Sequence, residues 1–156
     1  MESVYLETTL ISYLVARPSR DLLVAAHQQT TQDWWADRRA DFECYVSQVV
    51  IDEASAGDPE EARKRMAVMG SLAVLAVTED AESVAQAILS SGVILPRAVR
   101  DAAHIAVATV HEIDYLLTWN CRHLANAQIR RKISLVTGSL GRRMPLICTP
   151  EELMGE

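Results

Sequence analysis

The sequence predicts an α/β protein: a mainly parallel sheet flanked by helices on both faces. Three observations carry this. Short apolar, β-prone runs alternate with longer helical stretches along nearly the whole chain. The 156 residues suit one ordinary domain, 1–156, able to bury well over half of its unfolded surface. Hydrophobic residues make up 49% and charged residues 23%, a globular balance that excludes chain-wide disorder. Glycine and proline are sparse, and neither a repeat nor a low-complexity tract divides the chain.

The elements read in order. Val4-Tyr5-Leu6 is a short buried strand. Thr8 or Thr9 is expected to cap a helix beginning near Leu10, which Pro18 closes. A long helix covers roughly Asp21 to Arg39, and Cys44 to Ser47 is a second strand. Gln48 to Ala56 reads as a helix ended by Gly57-Asp58-Pro59. Asp58 then caps a further helix, with Pro59 at its first position and Glu60 and Glu61 in its first turn, running to Gly70. That helix mixes Arg63, Lys64 and Arg65 with Ala62, Met66, Val68 and Met69, so one face is charged and one packed. Leu72 to Val77 is a third strand, and Thr78 caps a helix to Ser91. Pro96 precedes a strongly apolar helix from Arg97 to His111. Tyr115 to Thr118 is a fourth strand, Cys121 to Ser139 is expected to be helical in at least its first half, and Leu146 to Cys148 is a final strand before a terminal turn.

Composition narrows the function. No apolar run reaches the roughly 20 residues that span a bilayer, and Met1-Glu2-Ser3 lacks the basic, apolar opening of a signal peptide. A cytoplasmic protein is expected, with no membrane association. The three cysteines, Cys44, Cys121 and Cys148, are isolated, which fits buried structural thiols rather than disulfides or a zinc site. A net charge of −6 argues against a surface that grips nucleic acid non-specifically. It leaves room for an acidic pocket that holds cations, because a bound metal inverts the local field.

In parallel sheets, functional groups gather just beyond the carboxyl ends of strands. Glu7 follows the first strand directly, Glu53 lies a turn or so beyond the second, Asp101 opens the helix after Pro96, and Asn120 follows the fourth strand. Converging carboxylates repel one another and are costly to leave bare. A hard cation, Mg²⁺ or Mn²⁺, relieves that repulsion, takes oxygen ligands and keeps waters for a phosphate substrate. It can polarise the phosphate and activate water for phosphodiester cleavage. The bland reading is that each acid merely caps amides or complements a helix dipole.

The run Val4-Tyr5-Leu6-Glu7-Thr8-Thr9-Leu10-Ile11-Ser12-Tyr13-Leu14 resembles the opening of PIN domains. Val50-Ile51-Asp52-Glu53-Ala54 and the segment Gly57 to Ala62 resemble the second acidic motif of a VapC-like branch, and Asp101 to Ala106 the third. Leu116 to Asn126, with Thr118-Trp119-Asn120 followed by His123 and Asn126, is similar to the most distinctive stretch of that branch, and Ile147 to Leu153 looks like its closing strand and turn. The resemblance spans nearly the whole chain, in order. It implies a single PIN-like domain with a five-stranded parallel sheet, the toxin of a type II toxin–antitoxin pair. It also implies Mg²⁺- or Mn²⁺-dependent RNA cleavage, a homodimer and a small antitoxin partner. Glu7, Glu53 and Asp101 would be the metal carboxylates, Asn120 a catalytic neighbour standing where many PIN domains have a fourth acid, and Thr8 the small hydroxyl residue of the first motif. The sequence departs from that pattern twice. The first acid is usually Asp; the extra methylene of Glu7 extends the carboxylate by roughly 1.5 Å. Asn120 is neutral, so at most three charges cluster, which favours one metal over two.

Thr8, Thr118, His104 and His123 are expected to touch substrate or brace the metal ligands, with His104 read first as a buried, hydrogen-bonded histidine. Asn126 is a further bracing candidate. Of the adjacent Trp34 and Trp35, one should enter the core and the other face a dimer or antitoxin surface. Arg130-Arg131-Lys132, Arg142-Arg143, Arg17 and Arg20 are candidate phosphate contacts. Two rivals to the nuclease remain. One is a catalytically weakened PIN-fold module that acts through antitoxin or RNA binding. The other, a Rossmann-like nucleotide enzyme, needs a glycine-rich turn where Glu7-Thr8-Thr9 stands.

Overall fold

A computed structural model describes residues 1–155; Glu156, the last residue of the expected domain, lies outside them. Five strands form one sheet: β1 (Ser3–Leu6), β2 (Glu43–Ser47), β3 (Ala73–Leu75), β4 (Tyr115–Leu117) and β5 (Leu146–Cys148). Their order is β3-β2-β1-β4-β5, and every neighbouring pair is parallel. β1 is therefore central. Val4, Tyr5 and Leu6 are buried, as a strand covered on both faces requires. The register sets Tyr5 opposite Tyr45 and Leu116, and Leu6 opposite Leu117, so β1, β2 and β4 end at one edge.

Seven α-helices connect these strands among the described residues: α1 (Thr8–Val15), α2 (Leu22–Asp37), α3 (Gln48–Ala54), α4 (Pro59–Met69), α5 (Glu79–Ser90), α6 (Val99–Val110) and α7 (Ala127–Ser139). Side chains cap them as the sequence suggests. Asp21 accepts from the Val24 amide, Asp58 from that of Glu61 and Thr78 from that of Ala81. α6 is buried almost continuously from Ala102 to Thr109 and packs against α5. Trp34 enters the core, its ring 6.0 Å from that of Phe42. Trp35 stays half-buried with the Arg39 guanidinium 4.3 Å over its ring.

Four expectations need correction. α1 starts at Thr8 rather than Leu10, because the Glu7 carboxylate itself caps it by accepting from the Thr9 amide. Residues 121–126 are not helical; the Asn120 carbonyl takes the amides of Leu124 and Ala125, and its side-chain Oδ1 takes that of His123, closing tight turns instead. Asn126 then accepts from the Gln128 and Ile129 amides and starts α7, so it is a cap. Pro96–Ala98 form a 3₁₀ turn, and α6 begins only at Val99. Not all three thiols are buried: Cys148 is, Cys44 is half-buried, and Cys121 is exposed in the turn that replaces the expected helix. No helix among the described residues is long and apolar enough to cross a membrane.

Candidate active site at the carboxyl edge of the sheet

Glu7 continues the ladder past β1, its amide donating to the Leu117 carbonyl over 3.1 Å. The side chain is 4% exposed. Its Oε2 accepts three hydrogen bonds: from the Thr9 amide (2.8 Å), the Thr9 hydroxyl (2.5 Å) and the Thr118 hydroxyl (3.0 Å). Oε1 accepts none among the described residues and keeps contact with solvent. Thr9 Oγ1 also accepts the Trp119 amide (2.9 Å), and Thr118 Oγ1 accepts the Asn120 amide (2.9 Å). Two hydroxyls thus hold the first acid and the turn after β4 in one arrangement.

Glu53 projects from α3. Its Oε1 accepts from the Thr8 hydroxyl (2.9 Å) and pairs with His104 Nε2 (2.5 Å). The other ring nitrogen of His104, Nδ1, lies 2.7 Å from the Tyr5 hydroxyl, which lies 2.7 Å from Ser47 Oγ. Ser47 caps α3 by accepting the Val49 amide. Burial alone pushes the Glu53 carboxyl up, but the hydrogen bond and charge of His104, the Thr8 hydroxyl and the Arg100 charge together hold it below the usual carboxylate range.

Asp101 sits in the first turn of α6, with Asn120 Nδ2 donating to its Oδ1 at a long 3.5 Å. Burial pushes its carboxyl above the ordinary value; the charges of Glu7 and Glu53 push the same way, against His104 and His123. The acids therefore act on one another electrostatically.

Hydrogen bonds form two separate sets at the edge, Glu7 with Thr9 and Thr118, and Glu53 with Thr8 and His104, and a long one joins Asp101 to Asn120. His123 contributes its backbone amide to Asn120 and its charge to Asp101. His104 is buried and hydrogen-bonded, as expected; the carboxylate it meets is Glu53 on a different helix, not Asp101 on its own. Sequence reasoning missed Thr9, Tyr5 and Ser47. Thr9 carried a signal, a hydroxyl two residues beyond an acid at a helix start. Tyr5 and Ser47 carried none, since each looks like an ordinary strand residue.

The donors are all oxygens, which suits a hard cation. Among the described residues, however, no three Asp, Glu, His or Cys side chains stand close enough to form a ready-made metal group. One oxygen of Glu53 is committed to Thr8 and His104, and one of Glu7 to the threonines. The donor chemistry fits a divalent cation that takes fewer than three of these carboxylates directly and completes its shell with water, as Mg²⁺ usually does.

The basic candidates divide. Arg142 pairs with Asp80 (3.3 Å), Arg143 with Asp114 (3.9 Å) and Arg17 with Glu61 (3.9 Å). Arg130 donates to the Ile147 carbonyl (2.6 Å) and approaches Glu152 (3.9 Å). Arg100 and Arg122, which flank Asp101 and Asn120 in sequence and were not anticipated, are exposed and form no ion pair among the described residues.

A five-stranded parallel sheet with acids beyond its carboxyl edge defines an α/β protein of the open parallel-sheet class. No family model and no curated protein matches the sequence. Solved structures do match the fold. Mycobacterium tuberculosis VapC20, described as a sarcin-ricin loop cleaving toxin, superposes with a TM-score of 0.62 at 20% identity, over 78% of this chain and 92% of that one. VapBC2 from Rickettsia felis, bound to a DNA fragment from its promoter, gives 0.59 at 11% identity, over 94% and 97%. The chain has the fold of VapC toxins.

Proposed function

We propose that the protein is a VapC-like endoribonuclease that cleaves RNA phosphodiester bonds with Mg²⁺ or Mn²⁺. What supports this is that Glu7, Glu53, Asp101 and Asn120, from four separate segments, lie at the carboxyl edge of the sheet, with Glu7 and Glu53 near enough for their charges to act on Asp101. Glu7 Oε1, the second oxygen of Glu53 and the Asp101 carboxylate would hold the cation, at least one of them through water. When bound, the cation supplies Lewis acidity toward a phosphate oxygen and acidifies a water. Thr9 and Thr118 keep Glu7 oriented, and Asn120 presents its amide to Asp101. Arg100, whose charge acts on Glu53, and Arg122, in the turn after Asn120, are exposed and would be free to hold phosphates on either side of the bond to be cut. An acidic floor with a basic rim suits a polyanion better than a neutral ligand.

The VapBC complex with this fold supports a small antitoxin as partner, and we extend to this chain a homodimer and a cytoplasmic setting. The test is cleavage of RNA by the purified chain without antitoxin. We expect activity in Mg²⁺ or Mn²⁺, none in EDTA, and none in Asp101→Asn. Cleavage that survives that substitution would overturn the assignment.

One observation favours a second reading. The lack of a preassembled three-carboxylate group suits a weakened PIN module that acts through antitoxin or RNA binding. That reading predicts no Mn²⁺ heat in calorimetry and no activity gained by Glu7→Asp.

A further inference from the structure

The buried chain Ser47–Tyr5–His104–Glu53 links the sheet to the acidic edge, and its hydrogens can be assigned by counting. Ser47 Oγ already accepts the Val49 amide, and Ser47 is fully buried. If Tyr5 donated to Ser47, the serine hydrogen would have no acceptor among the described residues. If Ser47 donates to Tyr5, Tyr5 donates to His104 Nδ1, and His104 Nε2–H donates to Glu53 Oε1, every hydrogen is used. Neither the ring of His104 nor that of Tyr5 touches solvent, so no water can substitute for a link.

We infer that Tyr5 is a positioning residue. It fixes His104 as the Nε2–H tautomer, which clamps Glu53 Oε1 and leaves the remaining oxygen of Glu53 to face a cation. This rests on the nuclease reading for what the cation does, and deepens it by giving the core of the sheet a part in the site. Glu53 lies on a short helix of seven residues and is half-buried, so it has few other restraints. Partners that orient a ligand from behind are commonly worth about 10–100-fold in metal affinity.

Two measurements test it. Nitrogen NMR of the metal-free wild-type protein should find His104 protonated at Nε2 and bare at Nδ1. The opposite tautomer would overturn the inference, and needs no variant to fold. Calorimetry with Mn²⁺ should show about 10-fold weaker binding in Tyr5→Phe, with Ser47→Ala, which keeps the phenol, falling between it and wild type. Circular dichroism confirms that both variants are folded. Wild-type Mn²⁺ binding with an unchanged constant in Tyr5→Phe would overturn this inference alone. A wild-type protein that neither binds Mn²⁺ nor cleaves RNA would overturn the nuclease reading, and this inference with it.

Discussion

Thr118→Val is the sharpest test of how the edge is held. The substitution keeps shape and burial and deletes one hydroxyl from a side chain that is fully buried. That hydroxyl donates to Glu7 Oε2 over 3.0 Å and accepts the Asn120 amide over 2.9 Å. A hydrogen bond to a charged group contributes about 1.5–3 kcal/mol, and an amide left without a partner costs about 1–3 kcal/mol. Partial relaxation of the turn lowers the second figure, so about 3 kcal/mol is expected. At about 2–4 °C per kcal/mol for a chain of this size, the melting temperature should fall by about 6–12 °C. Urea unfolding gives the free energy directly. A double-mutant cycle with Glu7→Gln isolates the pair, and a coupling of at least about 0.5 kcal/mol is expected. A single-variant loss below about 0.5 kcal/mol, with no coupling, would show that Thr118 does not brace Glu7.

Three further outcomes follow from the same structure. The Asp101 carboxyl is raised in the folded state, so its favourable contribution is present below its unfolded value and is lost as pH rises through the folded one. Without metal, Asp101→Asn should therefore be more stable than wild type at neutral pH and equal to it in acid, as thermal melts across pH will show. The Cys44 thiol is pushed up to about 11 and that of Cys148 to about 12, in both cases by burial first, while Cys121 is exposed. A thiol reagent at pH 8 should label one cysteine quickly, and peptide mapping should identify Cys121. Trp34 Nε1 is buried without a hydrogen-bond partner among the described residues. Trp34→Phe should therefore cost well under the roughly 3–5 kcal/mol of Trp34→Ala, measured by denaturant unfolding.

The elements and the partners of the site differ in how far they could be read from the chain. The β-prone runs and the capping signals at Asp21, Asp58 and Thr78 are local, and each landed within a few residues of its element. The four residues of the edge were legible because parallel strands gather their carboxyl ends. Their partners were not. The Tyr5 hydroxyl meets His104 across 99 positions, and nothing in either neighbourhood announces the meeting. The segment after Asn120 misled for a different reason. Its composition permits a helix, but an asparagine side chain and carbonyl that capture three successive amides outcompete that propensity.

The position of β1 has a consequence for synthesis. β1 occupies the middle of the sheet, and one of its two neighbours, β4, is translated long after it. Glu7 and Glu53 leave the ribosome long before Asp101 and Thr118 do. A nascent chain therefore holds two acids without the third carboxylate and with only one of the two hydroxyls, that of Thr9, that orient the first. On the nuclease reading proposed above, a partly made copy would lack the complete edge while it is still beside the ribosome that is making it.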